Sequence, residues 1–580
     1  MNWKLQADKW LSYRWLDKEL KKKLLEIEQN PKILEDCFYK NLEFGTGGIR
    51  GELGPGTNRM NIYTVRKAAK GLADYISQKG ENAKQRGLVI AYDCRHKSKE
   101  FAMEVAKTVG KQGIRIYFFR EMSPTPELSF AVRFLNASAG VVITASHNPP
   151  EYNGFKVYGE DGGQITTSSA EQITSYINMI QDELQISVMD EMILIDQGLL
   201  KYIGPDLDIA YLEKLTTIKL NPKVAKSTGT NLKIVFSPLH GTAQKLVSAG
   251  LKKFGFNNIT IVKEQEHPDP EFTTVKLPNP EEHEAFEMAI KYGKQINADI
   301  LMATDPDADR LGVAAKSESG EYAILTGNQM GALMLHYVLT QKKEKGILPK
   351  NAVVIKTIVT SEIGKAIADD FAVKTVDTLT GFKYIGEKIK EFEKSKELTF
   401  QFGYEESYGY LIGDFVRDKD AIQAAVFAAE VAAFYKAKGM TLFDGLHELY
   451  EKYGFYLETL KSLTLKGKEG TEKIADILKL FRENCPANIA GNALTGVEDY
   501  QSGEYINLVT GEKESVHLPK ANVIKFYLAD GSWFAIRPSG TEPKIKFYFS
   551  VVGLSKNHSE KRLKMLENGV LGIVEKFLKE

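Results

Sequence analysis

Three short stretches carry residue types that could do chemistry together. Thr144-Ala145-Ser146-His147-Asn148-Pro149-Pro150 sets a serine just past an apolar run at 141–143. The run reads as a buried strand, and each proline disfavours helical geometry in the residue before it. A stiff loop presenting Ser146 at the carboxyl end of a strand is expected; a plain polar turn is the alternative. Asp305-Pro306-Asp307-Ala308-Asp309-Arg310 alternates three carboxylates on one tight loop, within reach of a single hard cation. An EF-hand is excluded, because its sixth position holds Arg310 instead of Gly and its twelfth holds Lys316 instead of Glu. Mg²⁺ completed by a phosphate oxygen fits this donor set, and three crowded anions without a counter-cation are unfavourable. In Arg537-Pro538-Ser539-Gly540-Thr541-Glu542-Pro543-Lys544, Ser539 and Thr541 offer hydroxyls, Gly540 admits close backbone approach, and Arg537 can fork onto phosphate oxygens. A simple hairpin loop is the alternative there.

Other stretches are less specific. Glu405 and Ser407 alternate in a glycine-bounded loop and suit adjacent sugar hydroxyls as well as they suit a capped turn. Lys419, in Arg417-Asp418-Lys419-Asp420, adds a cation for a phosphate, or merely begins a solvated helix. Phe44-Gly45-Thr46-Gly47-Gly48-Ile49-Arg50-Gly51 is no P-loop, since no Gly-Lys-Ser/Thr follows. It reads as a flexible turn or as close approach to an anion with Arg50 as its charge.

The elements that must position these residues repeat. A strand, helix and strand follow one another at 87–93, 99–112 and 114–119, at 232–237, 242–254 and 259–262, and at 352–357, 361–370 and 373–376. Each is a β-α-β unit with parallel strands and a right-handed crossover. A further strand then leads to a polar loop: the Ser146 loop, the Asp305 loop and the Glu405 loop in turn. Three loops at one topological position would converge if the units pack around a common cleft. The C-terminal region differs, with strands at 523–529, 532–536 and 545–552 and a final helix at 559–579, an α+β pattern. Residues 1–40 read as one or two docking helices, and 421–435 as a buried helix too short to span a bilayer. The expected division is 1–210, 211–325, 326–455 and 456–580.

Composition narrows the class. At 580 residues the chain exceeds one core. Its 43% hydrophobic and 26% charged content is that of a globular protein. Lys plus Arg and Asp plus Glu both number 76, so no global field favours nucleic acid or an anionic membrane. Cys37, Cys94 and Cys485 lie far apart, which excludes a disulfide framework and a zinc site. The first thirty residues hold no apolar core of a signal peptide, and a cytoplasmic location is expected. No segment marks an oligomeric interface.

A serine, a three-carboxylate loop and a separate phosphate loop together suggest phosphoryl transfer. Ser146 would carry the phosphoryl group, since Ala145-Ser146-His147 lacks the hydrolase elbow. A cation would stabilise the transferring charge, and Lys156, in Tyr152-Asn153-Gly154-Phe155-Lys156, is near enough in sequence to strip the accepting hydroxyl.

These residues resemble the α-D-phosphohexomutases, the phosphoglucomutase and phosphomannomutase superfamily. Thr144 to Pro149 is similar to its phosphoserine loop, Asp305 to Arg310 to its metal loop, Glu405-Glu406-Ser407 to its sugar loop, and Arg537 to Pro543 to its phosphate loop. The four motifs keep the family order over residues 45–550. The resemblance implies three similar mixed-sheet α/β domains plus a smaller C-terminal α+β domain around a central cleft. It implies that phosphorylated Ser146 donates to glucose 1-phosphate or glucose 6-phosphate through a glucose 1,6-bisphosphate, which also serves as activator. One Mg²⁺ would be held by Ser146, Asp305, Asp307 and Asp309. Arg50, His147 and Lys156 would serve catalysis, with Arg310, Thr380, Gly381, Glu405, Ser407, Lys419, Arg537, Ser539, Gly540 and Thr541 binding substrate. The expected partner is a small phosphosugar, and the balanced charge leads one to expect neither nucleic acid nor membrane.

One departure bears on specificity. Many bacterial enzymes acting on both mannose and glucose carry histidine two residues after the sugar-loop serine, where Gly409 stands here. Thr378 to Lys383 and the long N-terminus resemble the phosphoglucomutase-2-like branch, so glucose is the expected sugar, with phosphopentomutase or phosphomannomutase activity as alternatives. A non-catalytic sensor on this fold would lose Ser146 or a metal aspartate, and neither is lost. A serine phosphatase has no use for the full sugar and distal-phosphate loops.

Overall fold

The structure, a computed structural model, describes residues 2–45, 47–465, 467–484, 486–539 and 544–579. Its organising pattern is one sheet design used three times. In the first unit Leu88–Tyr92, Ile116–Phe119 and Ala139–Ile143 run parallel, and Tyr152–Gly159 returns antiparallel beside the third. Ile234–Ser237, Ile259–Ile261 and Ile300–Thr304 repeat this with Leu311–Lys316 as the return strand. Ala352–Thr357, Lys374–Thr378 and Thr399–Glu405 do so again with Gly409–Leu411. Every residue of Leu88–Tyr92, Ala139–Ile143, Ile300–Thr304 and Ala352–Thr357 is buried, as parallel strands covered on both faces must be. The chemistry-bearing loops are the three hairpins joining third and fourth strands. Each turns through one non-glycine residue in the left-handed region: Ser146 at φ 51°, Ala308 at 57° and Tyr408 at 63°.

The second and third units share one apolar core, and the helix Ala421–Ala437 runs through it. Its alanines let neighbouring elements approach closely, and Asp420 caps it by accepting from the backbone N–H groups of Ile422 and Gln423. Buried Glu430 accepts from Leu220 N at 2.9 Å and Tyr337 Oη at 2.9 Å, tying the segment that enters the second unit to this helix.

The fourth domain is an antiparallel sheet built on Phe455–Thr464, Lys544–Gly553, Trp533–Pro538, Ile524–Leu528 and Asn492–Asp499, extended by shorter strands. It is larger than the three strands expected, because Phe455–Thr464 and the polar strands beyond Asn492–Asp499 carry little inside–outside contrast. Ile358, Val359 and Leu379 of the third unit pack against Val523, Trp533 and Tyr548 of this sheet.

At the N-terminus three helices replace the one or two expected: Trp3–Ser12, Lys18–Ile27 and Pro31–Phe38. Asp17 and Asn30 each cap a new start, and Pro31 suits a first helical turn. They dock on the first unit, where Trp10 Nε1 donates to Glu183 Oε1 at 2.9 Å. Among the described residues no helix is long and apolar enough to cross a membrane.

Candidate active site

The three hairpins meet. Ser146, 3% exposed, has its Oγ 2.6 Å from Asp305 Oδ2 and 3.2 Å from His147 Nδ1. Its own N–H donates to Thr144 Oγ1 at 2.8 Å. Gly154 is required beside this loop, because a Cβ there would lie 2.5 Å from the Thr144 carbonyl and 2.8 Å from that of Ile49. That close approach lets Tyr152–Gly159 bring Lys156 into the site. The glycine-rich segment is not a flexible turn: Gly48–Glu52 pairs antiparallel with Tyr152–Gly159, setting Arg50 opposite Gly154 and two positions from Lys156 on the partner strand. Arg50 Nη1 donates to Asn148 Oδ1 at 2.8 Å.

Asp305, Asp307 and Asp309 are buried, and one carboxylate oxygen from each lies within 4.8 Å of the others. Asp305 Oδ1 accepts from the N–H groups of Asp309 and Arg310 at 3.0 and 2.9 Å, which turns the loop. Lys156 Nζ lies 2.7 Å from Asp307 Oδ2 and 3.4 Å from Asp309 Oδ2, and Lys419 Nζ lies 2.9 Å from Asp309 Oδ2. Burial drives the Asp305 carboxyl well above its ordinary range, with the other two carboxylates adding to the effect. Burial opposes ionisation of Asp307 too, but the Lys156 ammonium outweighs it and holds that carboxyl far below the usual range. Asp307 Oδ1 and Asp309 Oδ1 find no hydrogen-bond partner among the described residues. A dry triad of hard oxygens with two unused lone-pair donors fits a divalent cation such as Mg²⁺.

The charges around Lys156 oppose its burial. Desolvation alone would lower its amine, but Asp307 and Asp309 raise it, which favours the ammonium form. His147 moves the other way. Burial, then Arg310 and Arg50, push its imidazole well below its ordinary value and keep it neutral.

The sugar loop joins through Arg310, whose Nη1 donates to Ser407 O at 3.1 Å and to Glu281. Burial lifts the Glu405 carboxyl to about 7 against the pull of Lys419 and Arg310. Thr380 has a buried hydroxyl without a partner among the described residues, and Gly381, at φ 119°, precedes the helix Phe382–Ser395 with open space around it. Lys383, one turn on, is lowered to about 8 by burial and by Arg537 of the fourth domain, which sets this segment across from the fourth domain's strands. Arg537 sits opposite Lys546 in the register of Trp533–Pro538 and Lys544–Gly553, and Ser539 N donates to Lys544 O at 2.7 Å. Gly540 and Thr541 lie outside the described residues.

Four contributors escaped the sequence reading. Thr125, at the start of the helix Thr125–Phe134, binds Asp307 Oδ2 through its hydroxyl at 3.0 Å. Glu281 pairs with Arg310, Lys546 doubles the charge beside Arg537, and Arg95 holds the serine loop from beneath. Thr125, Glu281 and Arg95 each have a partner far along the chain, so no local spacing announces them, and Lys546 is one lysine of a strand with no motif around it. An Arg two residues beyond a strand-ending Asp93 was the one available hint.

Comparison with known proteins agrees with this arrangement. Models of the phosphoglucomutase/phosphomannomutase family match as alpha/beta/alpha domain I at residues 41–183, domain II at 209–320, domain III at 326–453 and the C-terminal domain at 468–557. The chain is 38% identical over 544 residues to a phosphoglucomutase of Staphylococcus haemolyticus, covering 94% of this chain and 96% of that one. It is 41% identical over 520 residues to a phosphoglucomutase of Staphylococcus aureus, covering 89% and 90%. A putative phosphomannomutase from Thermus thermophilus shares the fold at TM-score 0.68 and 21% identity, over 92% of this chain and 99% of that one. The Paramecium phosphoprotein pp63/parafusin, in its open form, shares it at TM-score 0.68 and 16% identity, over 93% and 96%.

Proposed function

The chain belongs to the phosphoglucomutase/phosphomannomutase family, and from that premise we propose that it interconverts glucose 1-phosphate and glucose 6-phosphate by way of a phosphoserine at Ser146 and a glucose 1,6-bisphosphate. The observation that carries this reading is Ser146 Oγ at 2.6 Å from a buried triad of carboxylates, with Lys156 and Lys419 beside it.

Ser146 passes its phosphoryl group to the free hydroxyl of the sugar monophosphate; the Oγ–P bond breaks as the new O–P bond forms, and the hydroxyl proton leaves to a base. The bisphosphate turns end for end, and its other phosphate returns to Oγ. A divalent cation held by Asp305, Asp307, Asp309 and Ser146 would neutralise charge on the transferring group. Lys156, already protonated, supplies a proton to the departing oxygen and takes up the one that the attacking hydroxyl releases, so that each leg leaves it protonated. His147, kept neutral, accepts or donates one hydrogen bond at the seryl phosphate without adding charge, and Arg50 contributes a forked cation on the cleft side. Arg537, Ser539, Gly540 and Thr541 hold the phosphate that is not reacting, with Lys546 adding charge. Glu405 and Ser407 take sugar hydroxyls, Arg310 and Lys419 line that end, and Thr380 and Gly381 border the sugar.

Incubation with glucose 1-phosphate, Mg²⁺ and a trace of glucose 1,6-bisphosphate should yield glucose 6-phosphate with no stoichiometric inorganic phosphate. Mannose and ribose phosphates run in parallel should turn over more slowly. No isomer from any sugar, or free phosphate equal to substrate lost, would overturn the proposal.

A further inference from the structure

Ser146 has a left-handed backbone conformation that is uncommon for a non-glycine residue, and one buried side chain reaches several peptide groups around it. The carbonyls of the serine loop are gathered by Arg95. Its Nη2 donates to Ser146 O at 2.6 Å and to Asn148 O, and its Nη1 donates to Pro149 O at 2.7 Å and Tyr152 O at 3.1 Å. Arg95 is itself fixed. Its N–H donates to Asp93 Oδ1 at 2.9 Å, its Nε lies 3.5 Å from Asp93 Oδ2, and its guanidinium stacks 4.9 Å from the ring of Phe272 in the second unit. It is 3% exposed, with its guanidinium turned to the loop's carbonyls.

We infer that Arg95 is the positioning residue of the phosphoryl carrier: it fixes the peptide groups around Ser146 so that Oγ can point only at Asp305, and through Phe272 it makes this alignment depend on docking of the second unit. The inference rests on the reading of Ser146 as that carrier. Its chemistry is particular to arginine. A planar fork with five N–H donors satisfies four carbonyls that converge from one side, whereas a lysine ammonium has three donors at a single point. The prolines at 149 and 150 alone do not give the loop its stiffness, since the Pro149 carbonyl is one of those Arg95 holds.

A residue that positions Oγ without touching substrate should alter kcat and leave KM alone. Arg95→Lys is expected to lower kcat by about 30-fold or more, with KM for glucose 1-phosphate within about three-fold of wild type, since misplacement by about 1 Å costs on the order of 100-fold. The fraction of Ser146 phosphorylated by glucose 1,6-bisphosphate should fall in parallel, read by intact-protein mass spectrometry. Phe272→Leu, which removes the stacked ring and keeps the guanidinium, should give a milder loss of about five-fold in kcat. Millimolar guanidinium should restore part of the activity of Arg95→Ala. Should that variant fail to fold, Arg95→Lys and Phe272→Leu carry the test, with melting curves confirming that they are folded. Wild-type kcat and phosphorylation in folded Arg95→Lys, or a raised KM at unchanged kcat, would overturn the inference. A wild-type enzyme that makes no isomer would instead strike the mutase reading itself.

Discussion

Gly409 sits opposite Glu405 in the third unit's hairpin, and a Cβ there would lie 2.7 Å from Lys419 Cδ, 2.9 Å from Glu405 Oε1 and 3.0 Å from Glu405 Cγ. Gly409→Ala therefore leaves the backbone tolerable but drives the middle of the Lys419 side chain aside. Lys419 Nζ then withdraws from Asp309 Oδ2, now 2.9 Å away with both side chains nearly buried. Taking the separation to about 4 Å, at an effective dielectric constant of about 20, weakens the pair by about 1.5 kcal/mol, or roughly ten-fold in a rate that depends on it. The expected result is a roughly ten-fold fall in kcat/KM for glucose 1-phosphate, followed by coupling glucose 6-phosphate to a dehydrogenase. Melting temperature should change little. The control is a double-mutant cycle: in a Lys419→Ala background the glycine substitution should have almost no further effect, because its target is gone. Activity within two-fold of wild type, or equal losses in both backgrounds, would refute the steric reasoning. The same crowding explains why a bulkier residue is absent at this position, whatever sugar preference it would bring.

Two further outcomes follow from the charges. Mg²⁺ should raise the melting temperature, by the equivalent of about 2.7 kcal/mol at 100 times its dissociation constant, and Asp307→Asn should remove most of that rise. Because burial and the other two aspartates raise the Asp305 carboxyl well above its ordinary range, a cation competes with a proton there, so the rise should grow as pH increases; a pH-independent shift would contradict this. Glu458, on the strand Phe455–Thr464, accepts from Asn328 Nδ2 of the third unit at 3.3 Å and from Ser361, and burial lifts its carboxyl from 4.5 to about 7. The folded state thus binds a proton the unfolded chain has lost, and this stabilisation is full below pH 4.5 and disappears as pH rises to about 7. Allowing for partial exposure, Glu458→Gln should stabilise by about 1.5 kcal/mol at pH 8 and by little at pH 4.5, and equal melting shifts at both would rule this out.

How much was legible in the sequence depended on whether the chemistry was local. Asp305, Asp307 and Asp309 alternate within five residues, and the Ser146 and Glu405 loops each follow an apolar strand, so type and spacing exposed all three. The triplication was legible because buried parallel strands are continuous apolar runs that glycine and polar turns interrupt. Arg95 was not, since a single arginine after a strand says nothing about carbonyls some fifty residues on. Glu281 and Thr125 were hidden for the same reason. The strands Glu504–Asn507 and Lys513–Ser515 were missed because the first is half-buried along most of its length and the second is exposed throughout, so neither shows an alternation to read.

The convergence of the loops goes deeper than proximity. Each repeat bends its hairpin through one left-handed non-glycine residue, a conformation worth on the order of 1–3 kcal/mol of strain when isolated. In each case a neighbouring segment braces it. Ser146 is held by Arg95 and by Asp305 of the second unit. The carbonyl of Ala308 accepts from Ala421 N of the third unit at 3.2 Å, and that of Tyr408 accepts from Leu311 N of the second at 3.1 Å. Ala308 is small enough to be overtaken by the helix Ala421–Ala437 at that contact, while Tyr408 buries a ring that anchors the sugar loop. Every loop is therefore contacted at its turn by a residue of another unit. Triplication thus supplies both the three chemistries and the means by which each is held in register with the others.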